Sequence, residues 1–432
     1  MAIFEWHGEL APGLQRDARG GLIIAGVSTE QLVREFGSPL VTINMALLRA
    51  RTEALQTSAN ASGVSVSYSA KAMITPSLAR FFVEHGMGID VCSLGELAVA
   101  ERAGIPASHL TLHGSGKSDL ELMAAVDGRV GRIVVDDVLE LVALHDCASS
   151  AGRIVDVVVR CTLSDAPHTH KAITTSGDET KFGISARDRP TAWQFLRESS
   201  SLRFSGVHAH AGSQIYDLPS YTSVVDALVE CLTEAAEVGL VADYAIAGGG
   251  FGVRMHPFAG PDSLDVPTTL RAMALRFGTA CRERGLPTPI LGIEPGRSVI
   301  ADAGTTLYRI QAVKQQERHR FIIVDGGLCD NPRPALYDAY HHVVAATARS
   351  GERAPAIVCG RSCENDELAR VELPSDLLPG DLLAVCTTGA YTYSMASNYN
   401  RFGRPAIVSV DDDGVTVMTR RETLDDLLRL DR

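Results

Sequence analysis

Eight times between residues 64 and 293 a short β-branched, apolar run ends in polar residues or glycine and gives way to a helical pattern. The runs are 64–68, leading into Ser69-Ala70-Lys71; 87–91, with Asp90 near its end; 110–113, before Gly114; and 133–135, ending at Asp136. They continue with 156–160, ending at Arg160; 207–210, ending at His210; 244–247, before Gly248-Gly249-Gly250; and 291–293, before Glu294. Between them, 94–103, 138–148 and most of 219–239 carry apolar residues at three- and four-residue spacing, as amphipathic helices do. Strand–helix alternation of this kind predicts an α/β fold, a parallel (β/α)8 barrel of the TIM type. Its active site belongs at the C-terminal strand ends, where Lys71, Asp90, Arg160, His210, the glycine triplet and Glu294 all fall.

After Glu294 the pattern changes. Segments 305–313, 321–324, 356–359, 382–385, 406–410 and 415–419 read as strands separated by turns such as Pro379-Gly380-Asp381. This predicts a barrel over 40–295 and a β-sheet domain from 1–39 and 296–432. A length of 432 residues suits two domains. The excess of 52 acidic over 40 basic side chains, with no basic run, argues against nucleic acid as a partner. No apolar stretch reaches the ~18–20 residues of a membrane span, and residues 1–10 lack the pattern of a signal peptide. Nine scattered cysteines read as reduced thiols and a cytoplasmic setting.

Each motif has a dull reading beside its chemical one. Lys71 after an apolar strand is a candidate Schiff-base amine if desolvation lowers its pKa; otherwise it is a solvated charge. Gly248-Gly249-Gly250-Phe251-Gly252 offers backbone close to a phosphate, or is a flexible loop; Val253 breaks the dinucleotide fingerprint. Glu294 could face a pyridine nitrogen and keep it protonated, or pair structurally with Arg297. In His208-Ala209-His210-Ala211-Gly212-Ser213 we expect one histidine inside the barrel and the other toward the helices, which leaves no shared metal ion. His210 would then stack on an aromatic cofactor, with Ser213 available to its phosphate. His168 and His170 read as loop residues. Cys363-Glu364 could provide a proton donor and an ammonium ligand, or a structural thiol beside a surface carboxylate.

Together these residues resemble the fold-type III pyridoxal-phosphate decarboxylases with an alanine racemase-like fold, and most closely the diaminopimelate decarboxylases. The likeness runs from Gly37-Ser38-Pro39-Leu40 to Arg421-Glu422-Thr423. It includes Asp90-Val91-Cys92-Ser93-Leu94-Gly95-Glu96, His168-Thr169-His170, Lys181-Phe182-Gly183 and Arg333-Pro334-Ala335-Leu336-Tyr337. It closes with Cys363-Glu364, Gly389-Ala390-Tyr391 and Met395-Ala396-Ser397-Asn398-Tyr399-Asn400.

The resemblance implies pyridoxal 5'-phosphate as cofactor, held by Lys71, with Glu294 on the pyridinium and His210 on the ring. Asp90 and Arg160 would line the cofactor site, and Ser213, Gly249, Gly250, Arg297 and Tyr391 would surround the phosphate and its neighbours. It further implies that Arg297, Arg333, Tyr337 and Tyr391 meet the substrate, that Glu364 takes its distal ammonium, and that Cys363 protonates Cα. Cys363 and Glu364 would reach the cofactor from a second subunit, so a homodimer with shared active sites is implied. The favoured substrate is meso-diaminopimelate, giving L-lysine and CO2. Asn365-Asp366-Glu367 stands where the family usually has Ser-Gly-Asp, and Leu94, Met73 and the run after Arg160 also depart. A decarboxylase of another diamino or conjugated amino acid, in a secondary-metabolite pathway, is the alternative. A silent binding homologue and a racemase are remoter ones.

Overall fold

The computed structural model describes residues 4–163 and 180–432, so the His168-Thr169-His170 motif lies outside the described residues. The chain divides into two compact units: Thr52–Val253 with Asp262–Gly296, and Met1–Arg51 with Arg254–Pro261 and Arg297–Arg432.

The first unit is a closed barrel of eight parallel strands. In chain order they are β1 (Val64–Ser69), β2 (Gly88–Val91), β3 (Leu110–Leu112), β4 (Arg132–Val135), β5 (Val155–Arg160), β6 (Leu202–His208), β7 (Tyr244–Ile246) and β8 (Ile290–Ile293). Each pairs with its sequence neighbours, and β8 closes on β1 with Leu291 opposite Val64. The strands are apolar almost throughout because helices cover them outside and side chains fill them inside; Val134, Val158 and Ile246 cluster there. Gly206 marks a register shift in β6. A Cβ at that position would come within 2.1 Å of the Tyr244 carbonyl oxygen, so glycine is required there. Helices start on side-chain caps: Thr75 accepts from Leu78 N–H, Ser93 from Glu96, Asp137 from Glu140 and Asp217 from Ser220. The helix Leu218–Glu237 ends before Gly239, whose φ of +85° no side chain adopts easily.

The second unit is built on a nine-stranded sheet. Its long strand, Gly304–Gln315, pairs with Leu40–Asn44, Arg320–Val324 and Leu382–Val385. Leu40–Asn44 is thus a sheet-domain strand, and the expected barrel start at 40 moves to Thr52. Leu40, Val41, Thr42 and Ile43 are buried, as in a barrel strand, so periodicity alone could not tell the two apart. A separate three-stranded sheet (Leu14–Arg16, Leu22–Ile24, Val27–Ser28) places Leu14, Leu22 and Ile24 in one apolar cluster with Leu40, Leu307 and Val408. A second cluster joins Tyr308, Ile322, Val324, Val358 and Leu373. Among the described residues no helix is long and apolar enough to cross a membrane.

Candidate active site

The barrel's C-terminal strand ends gather ionisable side chains around Glu294. This residue follows β8, is 9 % exposed, and accepts a 3.0 Å hydrogen bond at Oε2 from His208 Nε2. His113 Nε2, just after β3, lies 3.1 Å from Oε1 but is not aligned as a hydrogen bond, so Oε1 is a buried oxygen without a donor. Burial alone would raise the Glu294 pKa; the adjacent imidazoles of His113 and, through its hydrogen bond, His208 outweigh it and hold the carboxyl well below its usual range. Burial pushes His208 down to about 4, so its ring is neutral and donates Nε2–H to the carboxylate. Asp90, at the end of β2, goes the other way: burial and then the nearby Glu294 raise its pKa well above the usual value. His113, His208 and Glu294 also have donor atoms within 4.8 Å of one another, a set capable of holding a metal ion.

Lys71 sits in the single turn Ala70–Ala72 directly after β1, bracketed by a hydrogen bond from Tyr68 Oη to Met73 O of 2.8 Å. It is exposed, so the desolvation expected for it is not provided by the protein alone. Its charge acts on Asp90, Cys92, Glu96 and His210, which places it electrically within the same mouth. Arg160 ends β5, 3.8 Å from Asp136 and 4.5 Å from the Phe182 ring centroid; burial lowers its pKa. The Asp90–Glu96 motif is partly structural: Ser93 and Glu96 cap a helix, and Glu96 Oε2 accepts from Cys92 N–H at 2.6 Å.

The two histidines of β6 do not diverge as expected. Residues two apart share one side of a strand, and β6 itself ends at His208. His208 meets Glu294, while His210, beyond the strand, accepts at Nδ1 from Gly249 N–H at 3.2 Å. Burial, then Lys71, holds His210 well below the ordinary imidazole range. The glycines are packed, not loose: a Cβ on Gly249 would meet Glu294 O at 2.1 Å, and one on Gly250 would meet Gly212 O at 2.1 Å. The Gly249 amide is committed to His210, and Ile215 N–H bonds Gly250 O at 3.0 Å. Ser213 lies half-buried in the same β6 loop.

The sheet unit holds the remaining candidates in two groups. Arg297 opens the short helix Arg297–Ile300, and its guanidinium lies 4.6 Å from the Tyr391 ring centroid. Tyr391 has φ +59°, left-handed backbone that a tyrosine seldom takes. The turn is pinned by Gly389 N–H on Ala301 O at 3.0 Å, where a Cβ on Gly389 would reach Ile300 O at 2.0 Å. Arg333 opens the helix Arg333–Tyr337, is 5 % exposed, and has a buried Nε without a partner. Burial and then Arg297 push it down to about 10. Its guanidinium is 5.3 Å from the Tyr337 ring and 6.0 Å from that of Tyr391. Cys363 and Glu364 form the other group: both are exposed on a loop, with Cys363 N–H on Asn400 Oδ1 and Glu364 Oε1 accepting from Tyr399 Oη at 2.6 Å. His113 and the buried His341 beside Arg333 are not among the sequence candidates, and His208 appears there only as one of two alternating histidines, without its role beside Glu294. His113 and His208 carried the same signal as the rest, a polar residue at a barrel strand end.

A barrel whose strand ends offer a lysine, a buried carboxylate between imidazoles and a glycine turn has the make-up of a pyridoxal-binding enzyme. The family model for the pyridoxal-binding domain of pyridoxal-dependent decarboxylases matches residues 45–301. The diaminopimelate decarboxylase of Actinosynnema pretiosum subsp. auranticum is 40 % identical over 415 residues, 95 % of this chain and 92 % of that protein. That of Bacillus subtilis is 36 % identical over 432 residues, 96 % of each chain. The solved diaminopimelate decarboxylase of M. jannaschii in complex with L-lysine is 28 % identical, with a TM-score of 0.87 over 97 % of both chains. The chain belongs to the diaminopimelate decarboxylase family of pyridoxal-dependent decarboxylases, and is an amino-acid carboxy-lyase.

The residues fit the family's cofactor on structural grounds. Glu294 Oε1 is a buried acceptor without a donor, which a protonated ring nitrogen would satisfy. Gly249 and Gly250 are required by the chain's own packing, since a Cβ on either would strike a carbonyl oxygen, Glu294 O or Gly212 O.

Proposed function

We propose that the protein binds pyridoxal 5'-phosphate and decarboxylates meso-diaminopimelate to L-lysine and CO2. The observation that carries the cofactor half is the buried, ionised Glu294 with one oxygen unfilled. The observation behind the substrate half is Arg333, a buried guanidinium whose Nε lacks a partner and which an added carboxylate would complete. When bound, the cofactor supplies an electron sink for the pair left as the Cα–carboxylate bond breaks. Lys71 would hold it through its amine. Glu294, backed by the His208 hydrogen bond, would keep the ring nitrogen protonated, and His210 would support the ring. Ser213, Gly249, Gly250, Arg297 and Tyr391 would surround the phosphate and nearby groups, with Asp90 and Arg160 setting the local charge. Arg333, Tyr337 and Arg297 would take the substrate's distal carboxylate, and Glu364 its distal ammonium.

Cys363 would deliver the proton to Cα. In this chain it is exposed on a loop, and a group that must work in a dry site needs cover. The reading therefore includes a homodimer in which each subunit lends Cys363 and Glu364 to the other. The departure after Glu364 has a structural use: Asp366 is buried and its Oδ1 accepts from Leu328 N–H at 2.8 Å. The test is CO2 release and product identification with cofactor-loaded protein and meso-diaminopimelate. Lysine formed with turnover, and abolished by Lys71→Ala, is the expected result. A cofactor absorbance band without turnover would overturn the substrate assignment; no band would overturn the cofactor site.

A further inference from the structure

The sheet unit carries a cavity of about 780 Å³ whose lining includes none of the residues assigned to the decarboxylation. It lies in the size range of small-molecule sites, roughly 300–1,000 Å³. Four arginines line it, Arg318, Arg320, Arg353 and Arg370, against two carboxylates, Glu9 and Glu372. Three of those arginines have structural duties. Arg353 pairs with Glu9 at 2.6 Å, Arg370 with Glu367 at 2.7 Å, and Arg320 donates to Pro374 O at 2.7 Å. Arg318 is exposed and has no ion-pair partner among the described residues.

Aromatic rings line it as well. The rings of His256 and Tyr340 lie 4.5 Å apart, tilted by 33°, and Phe258 stands 70 % exposed at the same cavity. Pro355 and Ile357 add an apolar surface. His342 is the informative residue. It is 5 % exposed, its Nδ1 is 2.8 Å from Tyr340 Oη, and its Nε2 is buried with no hydrogen-bond partner. If Tyr340 donates to Nδ1, the neutral ring carries its proton on Nε2, a donor left unfilled. A buried donor of this kind is costly to leave without an acceptor.

We propose that this cavity is a second ligand site, which takes a small organic anion with a flat ring: the ring against His256, Tyr340 and Phe258, the anionic group on Arg318, and an acceptor atom on His342 Nε2. The site is independent of the decarboxylase reading. Its test is calorimetric titration of the cofactor-loaded enzyme with adenosine monophosphate, benzoate and inorganic phosphate as probes. At least one ring-bearing probe binds saturably, more tightly than phosphate, and is not displaced by L-lysine. Arg318→Ala weakens it by roughly tenfold or more, the usual value of a charge-assisted hydrogen bond. Phe258→Ala weakens it without altering decarboxylation. Absence of saturable binding by either ring-bearing probe overturns the proposal. So does affinity equal to that of phosphate, affinity unchanged in both variants, or displacement by L-lysine.

Discussion

Two buried carboxyl groups, one at the barrel mouth and one inside the sheet unit, end in opposite states. Glu294 is held well below the usual carboxylate range, whereas Asp330 is pushed up to about 7. Burial raises both, so burial does not decide the outcome. Glu294 has two imidazoles beside it. Asp330 has the Tyr308 hydroxyl and a Gly327 N–H at 2.9 Å as donors, but also two further carboxylates, Asp366 and Asp325, that repel its charge. The barrel keeps its carboxylate ionised and leaves one oxygen open, which is what a functional acceptor needs. The sheet unit fills both oxygens of its carboxyl, and burial with the two neighbouring carboxylates still raises its pKa to about 7 against those donors.

That contrast breaks first at Glu294. Glu294→Gln keeps the shape and removes the charge, and kcat/KM should fall by about 10²–10³-fold, the scale of an electrostatic catalytic group. Steady-state kinetics at saturating cofactor measure it; a loss below fivefold would reduce Glu294 to a packing residue. Cys363→Ala should cost about 10²-fold in kcat, as loss of a general acid does. Mixing it with Lys71→Ala sharpens the subunit question. Random exchange in a homodimer with shared sites restores about a quarter of the wild-type sites, and no recovery would mean that each chain works alone. Arg333→Ala should raise KM for diaminopimelate by roughly 10–10²-fold, the worth of a charge-assisted contact, while the cofactor absorbance stays unchanged.

The eight barrel strands could be read from sequence because each is a buried β-branched run with chemistry at its end. Strand β6 was read as 207–210 although it starts at Leu202, since Arg203, Ser205 and Gly206 interrupt the apolar pattern. Val343–Ala345 and Glu367–Pro374 were missed for related reasons: one is three residues long, and the other alternates with glutamates, an arginine and a proline at the sheet's end. In the site, Lys71 and Glu294 were legible as residue types at strand ends. The His208–Glu294 bond was not, because it joins residues 86 apart and depends on barrel closure. Nor could sequence show that Gly249 spends its amide on His210.

The smallest effect falls on Asp330. Its folded pKa of about 7 lies above that of an unfolded aspartate, near 3.9. Between those values the unfolded chain binds fewer protons at this site than the folded one, so this carboxyl makes stability fall as pH rises. Its contribution is fully present below the unfolded pKa and lost as pH climbs through about 7. Glu294 has the reverse sign, since its depressed pKa stabilises the fold at higher pH and is lost on acidification. Asp330→Asn cannot ionise, and its amide can still meet both Tyr308 and Gly327. Urea denaturation at several pH values between 4 and 8 should therefore show a shallower fall in stability with pH for the variant than for the parent. Parallel curves would mean that Asp330 is already ionised in the folded chain. Its neighbours would then have settled its charge as His113 and His208 settle that of Glu294, and the contrast between the two regions would fail.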